Sequence, residues 1–86
     1  MNVTFTPRAL RQYIDWQTED KKTLKKINKL VLDIQRNGLL EGEGHPEALK
    51  HRKGYSRHID KKNRLEYDGD GENNLVIISC KGHYEE

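Results

Sequence analysis

The strongest constraint on the fold is an apolar stripe in the first half of the chain. Between residues 21 and 37, apolar side chains recur every three or four positions, and the five lysines of this stretch fall mostly on other faces. This spacing predicts an α-helix that packs one side against a core. Asn37-Gly38 predicts the C-terminal end of that helix. The members of the stripe are Leu24, Ile27, Leu30, Val31 and Ile34.

A first helix is expected just before this one. Thr6-Pro7 combines an N-cap residue with a proline at the first helical position. Helical spacing then continues to about Glu19, through Leu10, Tyr13, Ile14 and Gln17. A short break at 18–20 predicts that the two helices form an antiparallel hairpin. Before them, Val3 and Phe5 alternate with polar residues and predict a short strand.

The second half of the chain changes to short strand-like segments. A loop at 41–46, with two glycines and a proline, precedes them. Turn sequences at 60–63 and 68–71 separate the later segments, which predicts an antiparallel meander. The predicted strands are Ala48 to Lys50, Tyr55 to Ile59, Arg64 to Tyr67 and Leu75 to Cys80.

The last of these segments is the most apolar. Leu75 to Ile78 is apolar on both faces, which predicts the central strand, packed under the helices. Cys80 shares strand parity with Val76 and Ile78, and we expect a small core residue rather than a nucleophile. A chain of 86 residues has room for one domain. We therefore predict one α+β domain over residues 1–86, with a two-helix N-terminal hairpin packed on a small antiparallel sheet.

Positive charge is concentrated in two blocks, although the formal net charge is only +2. Residues 21–36 contain six lysines and arginines against one aspartate, and residues 50–64 contain seven against one. Such blocks indicate a polyanionic partner, of which nucleic acid is the commonest. The competing interpretation is a solvated, lysine-rich surface.

The sequence also bears on the compartment. Residues 1–5 lack the apolar segment of a signal peptide, and no apolar run approaches the length of a transmembrane helix. Cys80 is the only cysteine, so no internal disulfide can form. We therefore expect a cytoplasmic protein that does not contact a membrane.

Several kinds of catalytic site are missing from the sequence. It contains no glycine-rich phosphate or dinucleotide motif and no nucleophile elbow. His45, His51 and His58 are too irregularly spaced for a zinc site, and Cys80 has no companion. We therefore expect no metal site.

The remaining acid, base and cationic side chains include no protein nucleophile. RNA cleavage suits such a set because RNA carries its own nucleophile, the 2′-hydroxyl. The protein needs only a base for that hydroxyl, an acid for the leaving 5′-oxygen and cations for the charged phosphorane. The competing interpretation is a group of exposed polar residues on a sheet. The set is Glu47, Lys50, His51, Arg57, His58, Arg64, His83 and Tyr84.

The order of these residues resembles the YoeB family of toxins, within the wider RelE fold group, over nearly the full chain. Four stretches carry most of the resemblance. They are Gly-Glu-Gly-His-Pro-Glu-Ala-Leu-Lys-His at 42–51, Ser-Arg-His-Ile-Asp at 56–60, Arg-Leu-Glu-Tyr at 64–67 and His-Tyr at 83–84. Residues 13–17 and 25–28 match as well.

The resemblance implies a toxin that cuts messenger RNA in the ribosome and needs no cofactor. It implies that Glu47 is the general base, Arg64 the transition-state cation and His83 the general acid. Tyr84 would orient the substrate or stack on a base. The implied phosphate-binding residues are Lys50, His51 and Arg57, with His58 where family members often have a second arginine.

The resemblance also implies partners. These are a YefM-like antitoxin encoded beside the toxin, and operator DNA bound only through the complex of the two; a homodimer is left open. The lysines of the second helix would suit docking to ribosomal RNA, which is dense in phosphate. They are Lys21, Lys22, Lys25, Lys26 and Lys29.

Two departures from the family pattern bear on catalytic strength. His58 weakens phosphate binding near neutral pH, where an unperturbed histidine is mostly uncharged. Glu85-Glu86 follow the implied acid and could raise its pKa or repel RNA.

Two other hypotheses stay open. One is a non-catalytic RNA- or DNA-binding module that acts as co-repressor with its antitoxin, although a mere binder has no use for a matched acid and base. The other is a stand-alone ribonuclease, which the small number of aromatic residues disfavours.

Overall fold

A short strand and two helices form the first half of the fold, as predicted. The computed structural model describes residues 1–82. Its first elements are β1 (Asn2–Phe5), α1 (Pro7–Glu19) and α2 (Lys21–Asn37). Thr6 caps α1, because its hydroxyl accepts a hydrogen bond from the Ala9 amide at 3.1 Å.

A single residue separates the two helices. Asp20 ends α1, and its carboxylate accepts hydrogen bonds from the amides of Lys22 and Thr23, so it also begins α2. The α2 helix ends at Gly38, whose φ of 98° suits glycine. The predicted stop is confirmed, and the break predicted at 18–20 is limited to Asp20, since Thr18 and Glu19 belong to α1.

The remaining strands complete a five-stranded sheet in the order β1-β5-β4-β3-β2. They are β2 (Glu47–Ala48), β3 (Tyr55–His58), β4 (Arg64–Gly69) and β5 (Asn74–Ser79). The predicted meander is confirmed, since β3, β4 and β5 pair in antiparallel order. The sheet as a whole is mixed, because β1 pairs with β5 in parallel. The central strand is therefore β4, and the prediction that β5 is central was wrong. Only β1 lies beyond β5 on its other side, where it forms the edge of the sheet.

One face of the sheet packs against the helices. Ile27, Leu30 and Ile34 of the predicted stripe are fully buried in α2. Their core includes side chains from β4 and β5, namely Leu65, Tyr67, Leu75 and Ile77. The predicted helical stripe is thus confirmed, and the α+β class with it.

An irregularity in the pairing of β4 with β5 decides where Cys80 points. Tyr67 pairs with Ile77, but Glu66 pairs with Ser79, so Ile78 has no direct counterpart. Beyond this bulge Cys80 belongs to the helix-facing core, and its Sγ lies 3.7 Å from the Ala9 carbonyl oxygen. Burial raises the pKa of the Cys80 thiol to about 11. The expected core role of Cys80 is confirmed. Because of the bulge, Cys80 shares the helix-facing side with Leu75 and Ile77 and not with Val76 and Ile78.

Within residues 1–82, neither helix is long and apolar enough to cross a membrane.

Candidate active site

A row of polar residues crosses the outer face of the sheet, the side turned away from α1 and α2. Glu47 pairs with Ser56, Ser56 with Glu66, and Glu66 with Ser79. Directly paired residues present their side chains on the same face, and the core residues Leu65 and Tyr67 flank Glu66 on the other face. Glu47, the expected base, thus stands exposed at the β2 end of this row.

Arg64, the expected transition-state cation, lies on the same face. It begins β4 and pairs with His58 on β3, one alternation away from the pair of Ser56 and Glu66. Its Nη1 donates to the carbonyl oxygens of Asp60 at 3.1 Å and Asn63 at 3.3 Å. Within residues 1–82 the rest of its guanidinium donates no hydrogen bond, so it is available to an anion.

The turn before Arg64 holds the end of the described chain. The Asn63 side-chain oxygen accepts a hydrogen bond from the Gly82 amide at 2.7 Å, and the Arg64 amide donates to the Gly82 carbonyl at 2.9 Å. Asp60 closes this turn with hydrogen bonds from the amides of Lys62 and Asn63. Gly82 is therefore fixed beside Arg64. His83 and Tyr84, the expected acid and stacking residue, lie outside the described residues, as do Glu85 and Glu86.

Arg57 does not fit the expected phosphate contact. Its side chain is fully buried on the helix-facing side of the sheet. All five of its N–H groups have acceptors: Nε donates to the Tyr67 hydroxyl, Nη1 to Asp33 and the Glu43 carbonyl, and Nη2 to the carbonyls of Gly38 and Glu41. In this conformation no donor remains for RNA.

The partners of Arg57 are themselves tied together. Asp33 Oδ2 also accepts a hydrogen bond from the Glu43 amide at 2.9 Å, and the Tyr67 hydroxyl donates to the Leu39 carbonyl at 2.6 Å. The Glu43 amide and the Arg57 guanidinium hold the pKa of Asp33 below its usual range. Burial raises the pKa of Tyr67. The ion pair of Asp33 and Arg57 is thus part of a larger polar network inside the fold.

The expected phosphate ligands Lys50 and His51 are exposed, in a short loop after β2 rather than in a strand. The loop is anchored by Leu49, whose amide donates to the Gly54 carbonyl at 2.9 Å. Arg52, from the same loop, pairs with the carboxylate of Glu66. Lys50 and His51 thus lie next to the β2 edge of the sheet, two and three residues after Ala48, the last residue of β2.

Sequence reasoning missed the inner part of the polar row. The side chain of Glu66 is only 7% exposed, and it accepts hydrogen bonds from Arg52 and from the Ser79 hydroxyl at 3.2 Å. Ser56 is fully buried, and its hydroxyl has no hydrogen-bond partner among residues 1–82. The available signal was period-two alternation, which places Glu66 opposite to Leu65 and Tyr67.

The lysines expected to dock on the ribosome fall into two groups. Lys26 forms an ion pair with Glu43 at 2.7 Å, and Lys29 lies 3.3 Å from the same carboxylate. Hydrogen bonds from these two lysines lower the pKa of Glu43. Lys21, Lys22 and Lys25 are exposed in the first turns of α2, away from the outer face of the sheet.

No group of three or more metal-binding side chains comes together within residues 1–82. The rings of His45 and His58 are near each other, with centroids 5.5 Å apart. Metal-free chemistry stays a prediction.

Two helices pack on one face of this small sheet, and a carboxylate and an arginine lie on the other; the class of protein is given by the family model that the chain matches. Residues 5–84 match the model of the YoeB-like toxin of bacterial type II toxin–antitoxin systems. The protein belongs to this family and is a toxin of that kind.

Individual relatives agree with this assignment. Toxin YoeB of Streptomyces coelicolor is 41% identical over 98% of this chain and 100% of its own. YoeB from Staphylococcus aureus is 49% identical in two solved structures, each covering 98% of both chains. One is a YoeB dimer, with a TM-score of 0.90, and the other a heterotetrameric complex of YoeB with YefM, with a TM-score of 0.88.

Proposed function

We propose that this toxin is an endoribonuclease that cuts messenger RNA in the ribosome and so inhibits translation. The observation that carries the proposal is that Glu47 and Arg64 lie on the same face of the sheet, while the Arg64 amide is hydrogen-bonded to Gly82, which directly precedes His83. A base, a cation and an acid near one another are what RNA cleavage by the internal 2′-hydroxyl requires.

The proposed reaction needs no protein nucleophile. Glu47 takes the proton from the 2′-hydroxyl, whose oxygen attacks the adjacent phosphorus. Arg64 donates hydrogen bonds to the charged phosphorane oxygens, and a planar guanidinium suits two of them at once. His83 protonates the 5′-oxygen as its bond to phosphorus breaks. The products are a 2′,3′-cyclic phosphate and a 5′-hydroxyl, and Tyr84 stacks on a neighbouring base.

Substrate binding would use cations at the rim of the site. Lys50 and His51 are exposed next to β2 and would contact phosphates on one side of the cut. His58 pairs with Arg64 and would contribute mainly when it is protonated. Arg57 is left out of this set because its donors are all used inside the fold.

The proposed partners are the ribosome and a YefM-like antitoxin, both in the cytoplasm. The S. aureus relative forms a complex with YefM, which favours a similar inhibitor here. Operator DNA would be bound only through that complex. The YoeB dimer of S. aureus favours a homodimer of this chain as well.

The experiment that tests the proposal is cleavage of a messenger RNA by the purified protein, with and without ribosomes. We expect rapid cutting only with ribosomes, ends that carry 2′,3′-cyclic phosphate or its 3′-phosphate product, and loss of most cutting in His83→Gln. Cutting of free RNA should survive EDTA. A 3′-hydroxyl end would indicate a metal-activated water and contradict the mechanism, and binding without any cutting would favour the co-repressor hypothesis.

A further inference from the structure

The segment from Gly38 to Gly44, here called the 38–44 loop, wraps around a buried cation. Three of its carbonyl oxygens accept hydrogen bonds from the Arg57 guanidinium, at 2.7–2.9 Å. A fourth, that of Gly44, accepts from the amide of His58 at 2.7 Å. The loop is thus fastened to β3 by one side chain and one backbone group.

The close contact explains two glycines of the loop. A Cβ atom on Gly42 would stand 3.2 Å from Arg57 Nη1 and collide with the Asp33 carboxylate, and one on Gly44 would stand 3.2 Å from Arg57 Cβ. Both residues also have positive φ, 112° and 88°. The Gly-Glu-Gly sequence is therefore required by the path of the backbone around Arg57.

Burial of an arginine is tolerated only when its charge and its donors are satisfied. Asp33 neutralises the charge with an Nη1–Oδ2 distance of 2.5 Å, and the Tyr67 hydroxyl takes the Nε–H. Carbonyl oxygens of the 38–44 loop accept the remaining three N–H groups of the guanidinium. Loss of the guanidinium would leave these carbonyls without donors, so the loop could no longer keep this path.

The 38–44 loop leads directly to the expected base. Gly44 is followed by His45, Pro46 and then Glu47. The β2 strand that contains Glu47 has only two residues. Such a short edge strand has few hydrogen bonds of its own, so the preceding loop must hold it in place.

We propose that Arg57 is a positioning residue, which holds the 38–44 loop and thereby fixes Glu47 against the reacting 2′-hydroxyl. The inference rests on the proposed function, because it gives Glu47 the role of base. It assigns Arg57 a part in catalysis without contact to RNA. A displacement of about 1 Å in a catalytic group can cost about 10²-fold in rate.

Two variants test the clamp. Arg57→Lys keeps the charge but cannot reach all the acceptors, and Tyr67→Phe removes the hydroxyl that joins Arg57 to Leu39. Both should lower kcat on ribosome-bound messenger RNA, Arg57→Lys by about 10²-fold, with little change in KM or in the salt dependence of binding. A phosphate contact would instead change KM and the salt slope. Ile27→Val, a core change that removes no hydrogen bond to Arg57 or to the 38–44 loop, is the control for reduced stability and should keep wild-type kcat at a temperature where it is folded.

Combination with Glu47→Gln shows whether Arg57 acts through Glu47. If Glu47→Gln has already removed the base, Tyr67→Phe should lower kcat little further. Multiplied effects in the double variant would overturn the inference, and so would wild-type kcat in folded Arg57→Lys and Tyr67→Phe.

A second measurement does not depend on cleavage. Amide hydrogen exchange of Tyr67→Phe should be faster at 38–48 and unchanged at 75–79. Unchanged exchange at 38–48 would refute the clamp even if the ribonuclease proposal holds. Faster exchange together with full activity of Glu47→Gln would refute the assignment of Glu47 as base, while the clamp itself stands.

Discussion

The indole Nε1–H of Trp16 donates a hydrogen bond to the carbonyl oxygen of Cys80, at 2.9 Å and across 64 positions of the chain. The amide of the same cysteine donates to Gln12 Oε1 at 2.7 Å. Both backbone groups of Cys80 are therefore held by α1, three residues before His83. The first helix thus sets where the chain leaves β5 toward the expected acid.

We expect Trp16→Phe to lower the free energy of unfolding by about 1–3 kcal/mol, because a buried carbonyl loses its donor. The measurement is urea denaturation of the purified protein. Tyr13→Phe is the matched control, because its hydroxyl bond to Asn28 is exposed and should contribute less. An equal decrease in the free energy of unfolding in both variants would contradict the prediction that the buried hydrogen bond to the Cys80 carbonyl contributes more than the exposed one.

Arg64→Lys should reduce cleavage of ribosome-bound messenger RNA by about 10²–10³-fold although it keeps the charge. A lysine ammonium cannot donate two parallel hydrogen bonds to phosphorane oxygens as a guanidinium can. Single-turnover cleavage at saturating ribosome concentration measures the effect. Near wild-type cleavage by Arg64→Lys would mean that a diffuse positive field is sufficient.

Reversal of Lys21, Lys22 and Lys25 to glutamate should abolish the fast, ribosome-dependent reaction and spare slow cutting of free RNA. These three lysines are exposed and lie away from the polar row, so they would act by docking to ribosomal RNA. Lys26 and Lys29 are left unchanged because they pair with Glu43. Toxicity equal to that of the wild type would show that the lysines only solvate α2.

The Asp33 carboxylate should contribute to acid sensitivity. Its pKa is lowered in the folded protein by the Glu43 amide and by Arg57, so the unfolded chain binds a proton more readily. This contribution to stability is therefore present above the usual aspartate pKa of about 4, and it is lost as pH falls through the lower pKa of the folded state. Urea midpoints of Asp33→Asn should depend less steeply on pH below about 4. An unchanged acid slope would contradict this coupling.

Ser56→Ala should leave the free energy of unfolding unchanged or raise it, because the buried hydroxyl of Ser56 makes no hydrogen bond in the part of the chain that the structure describes. Ser79→Ala is the matched control on the same row. It removes the hydrogen bond from Ser79 to Glu66 and should lower the free energy of unfolding by about 1 kcal/mol. Thermal or urea denaturation of the pair decides the point. Marked destabilisation by Ser56→Ala alone would contradict the prediction, because it would mean that the Ser56 hydroxyl makes a stabilising contact.

Local patterns were sufficient for most of the secondary structure. The period of the stripe from Leu24 to Ile34 defined α2 and its buried side, because helical geometry places every third or fourth side chain on one face. Thr6 and Gly38 marked helix ends through hydrogen bonds and backbone angles within a few residues of each. The turns at 60–63 and 68–71 were likewise local, so the antiparallel meander followed from them.

The candidate site was only partly predictable. The resemblance pointed to Glu47 and Arg64, and strand pairing then placed them on one face. Period-two alternation could place Glu66 on the outer face, but it did not show that the row from Ser56 to Ser79 is buried, because a serine or glutamate in a strand has the same sequence pattern whether it is exposed or covered. The face of Cys80 depended on the bulge at Ile78, which changes the alternation without any mark in the sequence.

The sequence by itself determined the helical hairpin, the meander and the family, since each depends on neighbouring residues or on their order. Tertiary structure alone decided the role of Arg57, which by composition belongs to a basic block. Its acceptors come from α2, from β4 and from the 38–44 loop, between 10 and 24 positions away. An arginine is buried only when such distant groups take its charge and all of its donors, and that condition is met only in the folded chain.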